Sequence, residues 1–223
     1  MRTRISPRAF TLIELLVVIA SIGILLAVAL PAFRSVLDRA KATKDLSNLR
    51  QISIVMQTYL NDNDQILPAS TTWPGTSTTP VLYPKYIGSR KVFQSPFDKR
   101  TSAEANTAPV SYSINTNMYV KFGTNPNMLK VVSPVLTFLM APTYNGNPAN
   151  SSSWTGTTTS APDLPVAGGA GEATGTHGNV NRINVLFCDW HTETVTFGPA
   201  STAGTYKDYQ SNPLGLKHWD PTQ

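Results

Sequence analysis

Residues 10–33, FTLIELLVVIASIGILLAVALPAF, make one almost wholly apolar run that holds a single carboxylate, Glu14. As a helix these 24 residues reach about 36 Å at about 1.5 Å per residue, enough to cross a hydrocarbon core of about 30 Å. The run exceeds the roughly 7 to 15 apolar residues of an ordinary secretory signal. Ala27-Val28-Ala29 nevertheless offers an A-x-A cleavage site, so ordinary secretion stays open as a rival. Arg2, Arg4 and Arg8 precede the run and Arg34, Arg39, Lys41 and Lys44 follow it. Charge asymmetry alone therefore does not set an orientation.

The rest of the chain is long enough for one compact domain. Of 223 residues, 14% are charged and 41% apolar, a balance that argues against a charged disordered tail. The three arginines of the first nine residues account for much of the basic excess; without them 15 of the 18 basic side chains face 13 acidic ones. No basic stripe with interleaved aromatics follows, so nucleic acid is not an expected partner. The single Cys excludes an internal disulfide, no Cys/His cluster has zinc spacing, and no glycine-rich phosphate loop occurs. Neither a cofactor nor a metal site is expected.

Glu14 needs a partner, because a carboxylate inside an apolar span is costly. Headgroups and water at the end of the span can hydrate it. Alternatively, a cut between Ala9 and Phe10 creates an ammonium one helical turn before Glu14, and residues at i and i+4 share a helix face.

The segment Arg8-Ala9-Phe10-Thr11-Leu12-Ile13-Glu14, continued by Leu15-Leu16-Val17-Val18, resembles the class III leader of type IV pilins and of the pseudopilins of type II secretion systems. The resemblance implies that a prepilin peptidase cuts after Ala9 on the cytoplasmic face and methylates the Phe10 amine. It implies a single-pass inner-membrane protein with a cytoplasmic leader and a periplasmic head. It further implies self-assembly into a helical filament, with other pseudopilins and an inner-membrane platform as partners. Ala9 stands where the family usually has Gly. In this family Glu14 would neutralise the Phe10 amine of a neighbouring subunit, since two charges buried together cost less than either alone. Gly23 and Pro31 weaken the helix between them. Pro31 either kinks the helix as it leaves the membrane or, as the resemblance implies, helps this stretch unwind in a filament.

Past Pro31, apolar residues Phe33, Val36, Leu37, Ala40, Leu46, Leu49, Ile52, Val55, Met56, Tyr59 and Leu60 recur at spacings of three and four, with charged residues including Asp45 between them. The pattern predicts one continuous helix from Phe10 to Leu60, its apolar stripe packed on a head domain. The helix should stop at Asn61-Asp62-Asn63-Asp64, before Pro68. Tyr59, Asp62 and Pro68 resemble the exit of the first pseudopilin helix. A calcium ion at Asp62, Asp64 or Asp208 is left open, although the spacing lacks the Gly and Glu of an EF-hand loop.

The expected fold class is α+β, with the long helix packed on a small antiparallel sheet. The domains read as leader 1–9, transmembrane helix 10–33, amphipathic stalk 34–62 and head 63–223, with a surface loop at 145–181. Strands are expected at 110–114, 117–122, 135–140, 183–188 and 192–197. The segments 81–87, 92–96 and 110–115 resemble a pseudopilin-like branch abundant in planctomycetes, which commonly has Cys-Pro where this chain has Ser95-Pro96. His177 and Asp189-Trp190-His191 resemble the His…Asp-Gly-His closing motif of that branch, with Trp190 in the glycine place. A structural polar pair among His177, Asp189 and His191 is the expected role. The rival is a cysteine hydrolase built on Cys188 and His191. The sequence is thus read as a pseudopilin of type II secretion and not an enzyme, with a type IV pilus subunit as the alternative.

Overall fold

The computed structural model describes residues 11–70, 72–76, 78–100, 109–142, 158–159, 166–167, 172–173, 182–196 and 218–223. The chain divides into two compact units, Met1–Arg39 and Ala40–Gln223. Helix α1, Leu12–Asp62, runs for 51 residues and contributes to both. In the first unit the Leu, Ile, Val and Phe side chains from Leu12 to Leu37 are solvent-exposed, Phe33, Val36 and Leu37 included. Among the described residues, this end of the predicted stripe therefore packs on no core.

The second unit is α+β. Its chain continues through β1 (Tyr112–Asn115), α2 (Thr116–Phe122), β2 (Phe138–Pro142), β3 (Thr158–Thr159), β4 (Val166–Ala167), β5 (Glu172–Ala173), β6 (Arg182–Phe187) and β7 (Thr192–Thr196). The main sheet has the order β3-β1-β2-β6-β7. Its four longer strands are antiparallel, and the two-residue β3 adds in parallel at one edge. Leu49, Ile52, Met56 and Leu60 of α1 are fully buried with Tyr112, Ile114, Met140 and Leu186 of the sheet and with Leu82 and Phe93 from the loop-rich stretch between. A second apolar cluster, with Phe138, Ile183, Val185, Phe187, Val195 and Trp219, covers the other face of the sheet.

One expected strand is a helix. Residues 117–122 belong to α2, whose start is fixed by Asn115: its Oδ1 accepts from Asn117 N at 3.0 Å, and Gly123 ends it at φ +83°. An asparagine cap and a glycine stop outweigh the strand propensity of Tyr119, Val120 and Phe122. The remaining strands lie within three residues of their expected places. Of the expected loop 145–181, only the short β3, β4 and β5 fall within the described residues. Helix α1 stops at the Asn/Asp cluster. Asn63 Nδ2 bonds Tyr59 O at 2.7 Å, Gln65 N reaches back to Leu60 O at 2.9 Å, and Asp64 and Gln65 adopt positive φ. This is a polar C-terminal stop. In the loop beyond, Gly75 sits at φ +105°, and a Cβ there would lie 2.5 Å from the Tyr83 carbonyl oxygen, so only glycine fits.

Asp45 departs furthest from expectation. The sequence pattern places it on the solvated side of the stalk, yet it is fully buried at the head of the packed stripe. Its Oδ1 accepts from Ser95 Oγ and from Tyr112 OH, each at 2.5 Å, and its Oδ2 accepts from Asn184 Nδ2 at 2.9 Å. Asn184 also donates to Ala42 O at 3.0 Å and accepts from Thr194 Oγ1 at 2.7 Å. One carboxylate thus joins the helix to a loop, to β1 and to β6. Burial pushes the Asp45 carboxyl above its ordinary range, and the three donors offset part of that rise. Burial and the Asp45 charge together hold the Tyr112 hydroxyl far above its ordinary value, so it stays a donor.

The β6–β7 hairpin closes through Trp190 at φ +76°. Its side chain packs on the helix-side core and its carbonyl accepts from Ser53 Oγ at 3.2 Å. The left-handed backbone costs about 1 to 2 kcal/mol in a residue with a Cβ, and burial of part of an indole offsets it.

Two outcomes are expected. Asp45→Ala orphans three buried donors and destabilises the head by about 3 kcal/mol or more, read from denaturant unfolding of the full chain in detergent micelles. Because the folded carboxyl lies above its unfolded value, the Asp45 term is complete at pH below the unfolded value and is lost as pH rises through the folded one. The stability difference between native chain and Asp45→Asn should therefore fall with rising pH across that window; a rise would show that the three donors outweigh desolvation. Trp190→Gly relieves the turn but forfeits packing, and a net loss of about 1 kcal/mol is expected from the same unfolding curves.

Candidate functional site

Two places carry the residues singled out from the sequence. The first is the start of α1. Ala9 and Phe10 lie outside the described residues. Glu14 sits in the first turn, and its Oε2 accepts from Thr11 N at 2.9 Å and from Thr11 Oγ1 at 2.7 Å. Glu14 N in turn donates to Thr11 Oγ1 at 3.3 Å. This is a capping box, Thr at the cap and Glu three residues on. The sequence reading gives Glu14 the headgroup region or the Phe10 amine as partner and misses Thr11, although the T-x-x-E spacing was there to be read. The capping box places the carboxylate at the positive end of the helix dipole, with two donors already engaged. Gly23 and Pro31 lie farther along, and α1 runs helically through both positions in the single chain. A Cβ at Gly23 would touch nothing within 4 Å among the described residues, so this chain does not require glycine there.

The second place is the turn after β6. Here Asp189 Oδ1 bonds both His191 Nδ1 and His191 N, the latter at 3.2 Å. The His191 ring stacks on Phe187 with centroids 4.0 Å apart and planes 17° from parallel. Its Nε2 lies 3.8 Å from Glu193 Oε2, a residue the sequence reading passes over although it stands two positions on, on the same strand face. His177 lies outside the described residues. Cys188 points to the other face, buried in the helix-side core, and burial followed by the nearby Asp189 charge pushes its thiol far up from the ordinary value. A buried, protonated thiol is a poor nucleophile. Cys188 and His191 thus lie on opposite sides of the hairpin.

The helix exit is held by side chains from elsewhere in the head. Asp62 Oδ2 accepts from Tyr86 OH at 2.8 Å, which itself accepts from Lys85 Nζ at 2.8 Å. Tyr59 meets Tyr86 edge-on at 5.8 Å, and Pro68 O accepts from Tyr119 OH at 2.5 Å. Tyr59, Asp62 and Pro68 are therefore each tied to a loop or to α2. Asp208 lies outside the described residues.

Comparison with known proteins adds a family likeness. The chain is 40% identical over 86 residues to the fimbrial protein of Neisseria meningitidis serogroup B, covering 38% of this chain and 49% of that protein. It is 40% identical over 86 residues to the type IV major pilin protein PilE of Neisseria gonorrhoeae, covering 38% and 50%. It is 37% identical over 65 residues to the type IV major pilin protein PilA of Myxococcus xanthus, covering 28% and 30%. No family model and no solved structure matches the chain. The chain spans about half the length of the first curated relatives it matches. With its long apolar N-terminal helix and α+β head, this chain is type IV pilin-like.

Proposed function

We propose that this chain is a membrane-anchored subunit that polymerises through α1, and that the filament is the pseudopilus of a type II secretion system. The observation that carries the reading is the first part of α1, where Glu14 is the one charged residue between Leu12 and Phe33 and every Leu, Ile, Val and Phe side chain from Leu12 to Leu37 is exposed. Such a helix is stable in a bilayer or in a bundle of its own kind, and the passage from the first to the second is assembly. Prepilin peptidase would release the Phe10 amine by cutting after Ala9. Glu14 would meet that amine on the neighbouring protomer, while Gly23 and Pro31 let the stretch between them adjust. The membrane platform and other pseudopilins would be the remaining partners. The lone, buried Cys188 supports a pseudopilin over an adhesive pilus subunit, because a C-terminal disulfide loop needs two cysteines. A type IV pilus subunit is the second reading, supported by the likeness to the type IV major pilins named above.

The capping box makes the assembly test sharper. Glutamine serves in a capping box as glutamate does, but carries no charge. Glu14→Gln should keep the helix start and lose filament formation by electron microscopy of the processed protein, and Glu14→Ala should lose both. Filaments from Glu14→Gln at the native yield would end the charge-pairing mechanism. Processing is read separately: the mature protein should begin at N-methylated Phe10 by intact mass, whereas a start at Leu30 would indicate ordinary secretion. The cysteine-hydrolase rival is met by alkylation. Cys188 should take up iodoacetamide only after denaturation, and Cys188→Ser should assemble normally; rapid labelling of the folded chain at neutral pH would revive the rival.

A further inference from the structure

Alternation along β7 gives the hairpin two chemically different faces. Residues Asn184 and Thr194 turn toward α1, while Phe187, Glu193 and Val195 turn away from it. On the outer face they line, with Val135 and Leu136, a groove of about 470 Å³. Val135 is 61% exposed and Leu136 46%, so the groove has an apolar wall in contact with solvent. Its rim is acidic. The Glu193 side chain is 63% exposed, and Asp189 stands beside it at the turn. His191 lies between these two carboxylates and, even as an imidazolium, balances only one of them. No Lys or Arg is among the described residues that line the groove.

The opposite chemistry is found on α1. A hydrocarbon core takes about 20 helical residues, so a span that starts at Leu12 is complete near Pro31. Phe33 and Leu37 lie beyond that length and are 65% and 58% exposed. Lys41 and Lys44 follow them at spacings of four and three, which places all four on one face of the helix. From residue 34 to residue 50 the chain carries Arg34, Arg39, Lys41, Lys44 and Arg50 against Asp38 and the buried Asp45. This face is apolar at one end and cationic at the other.

We propose that the groove of one copy of this chain receives the Phe33–Lys44 face of α1 from a second copy, with Leu37 against Val135 and Leu136 and with Lys41 and Lys44 at Glu193 and Asp189. The inference rests on the polymerisation reading above and adds a contact made by the head. A second copy fits the groove because both halves of the match, apolar to apolar and acid to base, are carried by one chain. The two patches differ, so each copy offers its groove to one neighbour and its helix face to another. Such a heterologous contact extends into an open filament wherever its rotation does not close a ring. Apolar burial favours the contact, and the charges fix its register by excluding dockings that bring like charges together.

The test is a charge swap read by electron microscopy of the processed full chain. Glu193→Lys, and separately Lys41→Glu with Lys44→Glu, should each lower filament yield by about tenfold or more at low salt, because each sets like charges face to face. All three substitutions in one chain should restore filaments. The altered residues lie at the surface, and unchanged melting curves would show that the head still folds. Contact is read independently by mixing Leu37→Cys chains with Val135→Cys chains: mild oxidation of the mixed filaments should give a disulfide between the two kinds, while the buried Cys188 takes no part. Filaments that keep their native yield with Glu193→Lys, or mixed filaments that do not cross-link, would overturn this contact and leave polymerisation standing. A native chain that forms no filaments at all would end both.

Discussion

The head is organised around one buried anion whose bonded partners are all neutral. Asp45 takes its three hydrogen bonds from a serine, a tyrosine and an asparagine belonging to three separate stretches of chain. Each donor is itself buried, so none has water as an alternative, and loss of the acceptor would strand all of them. Leu49, Ile52, Met56 and Leu60 supply most of the apolar burial along α1, but apolar contacts tolerate small slides along a helix axis. A carboxylate with three directional partners does not. Asp45 therefore sets the register of the helix against the sheet, at the cost of holding a charge in a dry place.

The same chemistry recurs at the start of α1, where Glu14 is met by the amide and hydroxyl of Thr11. Dipoles make an anion bearable, but a full opposite charge in a medium of low dielectric does more. In the proposed filament the capping box and the Phe10 amine need not compete. A carboxylate has room for about four hydrogen bonds, and Thr11 uses one oxygen. Its neighbour, Oε1, is left for an incoming ammonium. On this view Thr11 aims the carboxylate before any partner arrives, which reduces the ordering that docking must supply.

How far the sequence discloses this structure depends on whether a residue's role is local. The long helix, its stop at Asn61–Asp64, the hairpin at 183–197 and the α+β class all follow from periodicity and turn chemistry, which act over a few residues. The glycine place of Trp190 came from the family resemblance instead, and the structure puts that residue at φ +76°. Helix α2, where a strand was expected at 117–122, was not legible, because β-propensity looks at Tyr119, Val120 and Phe122 while the cap at Asn115 decides the outcome. Asp45 was hidden differently. It continues the three-four spacing of Leu49, Ile52 and Met56, but a charge at such a position reads as solvated unless its partners are known. Those partners lie 50, 67 and 139 residues away.

The β6–β7 hairpin shows how such constraints combine in one element. Strand alternation obliges Asn184 and Thr194 to face α1 if Val185 and Glu193 face away, since cross-strand partners share a side. The inner side is committed to the Asp45 node and cannot change without unsettling the helix register. The turn joins the two sides, and Trp190 uses its strained backbone to send an indole inward to the core while its neighbours Asp189 and His191 stay at the rim. A glycine would make that turn without strain, but it would bring no side chain to pack on the helix-side core. The exposed side of the hairpin is then free of structural duty along Glu193, which is where a chain of this kind can carry chemistry without endangering its fold.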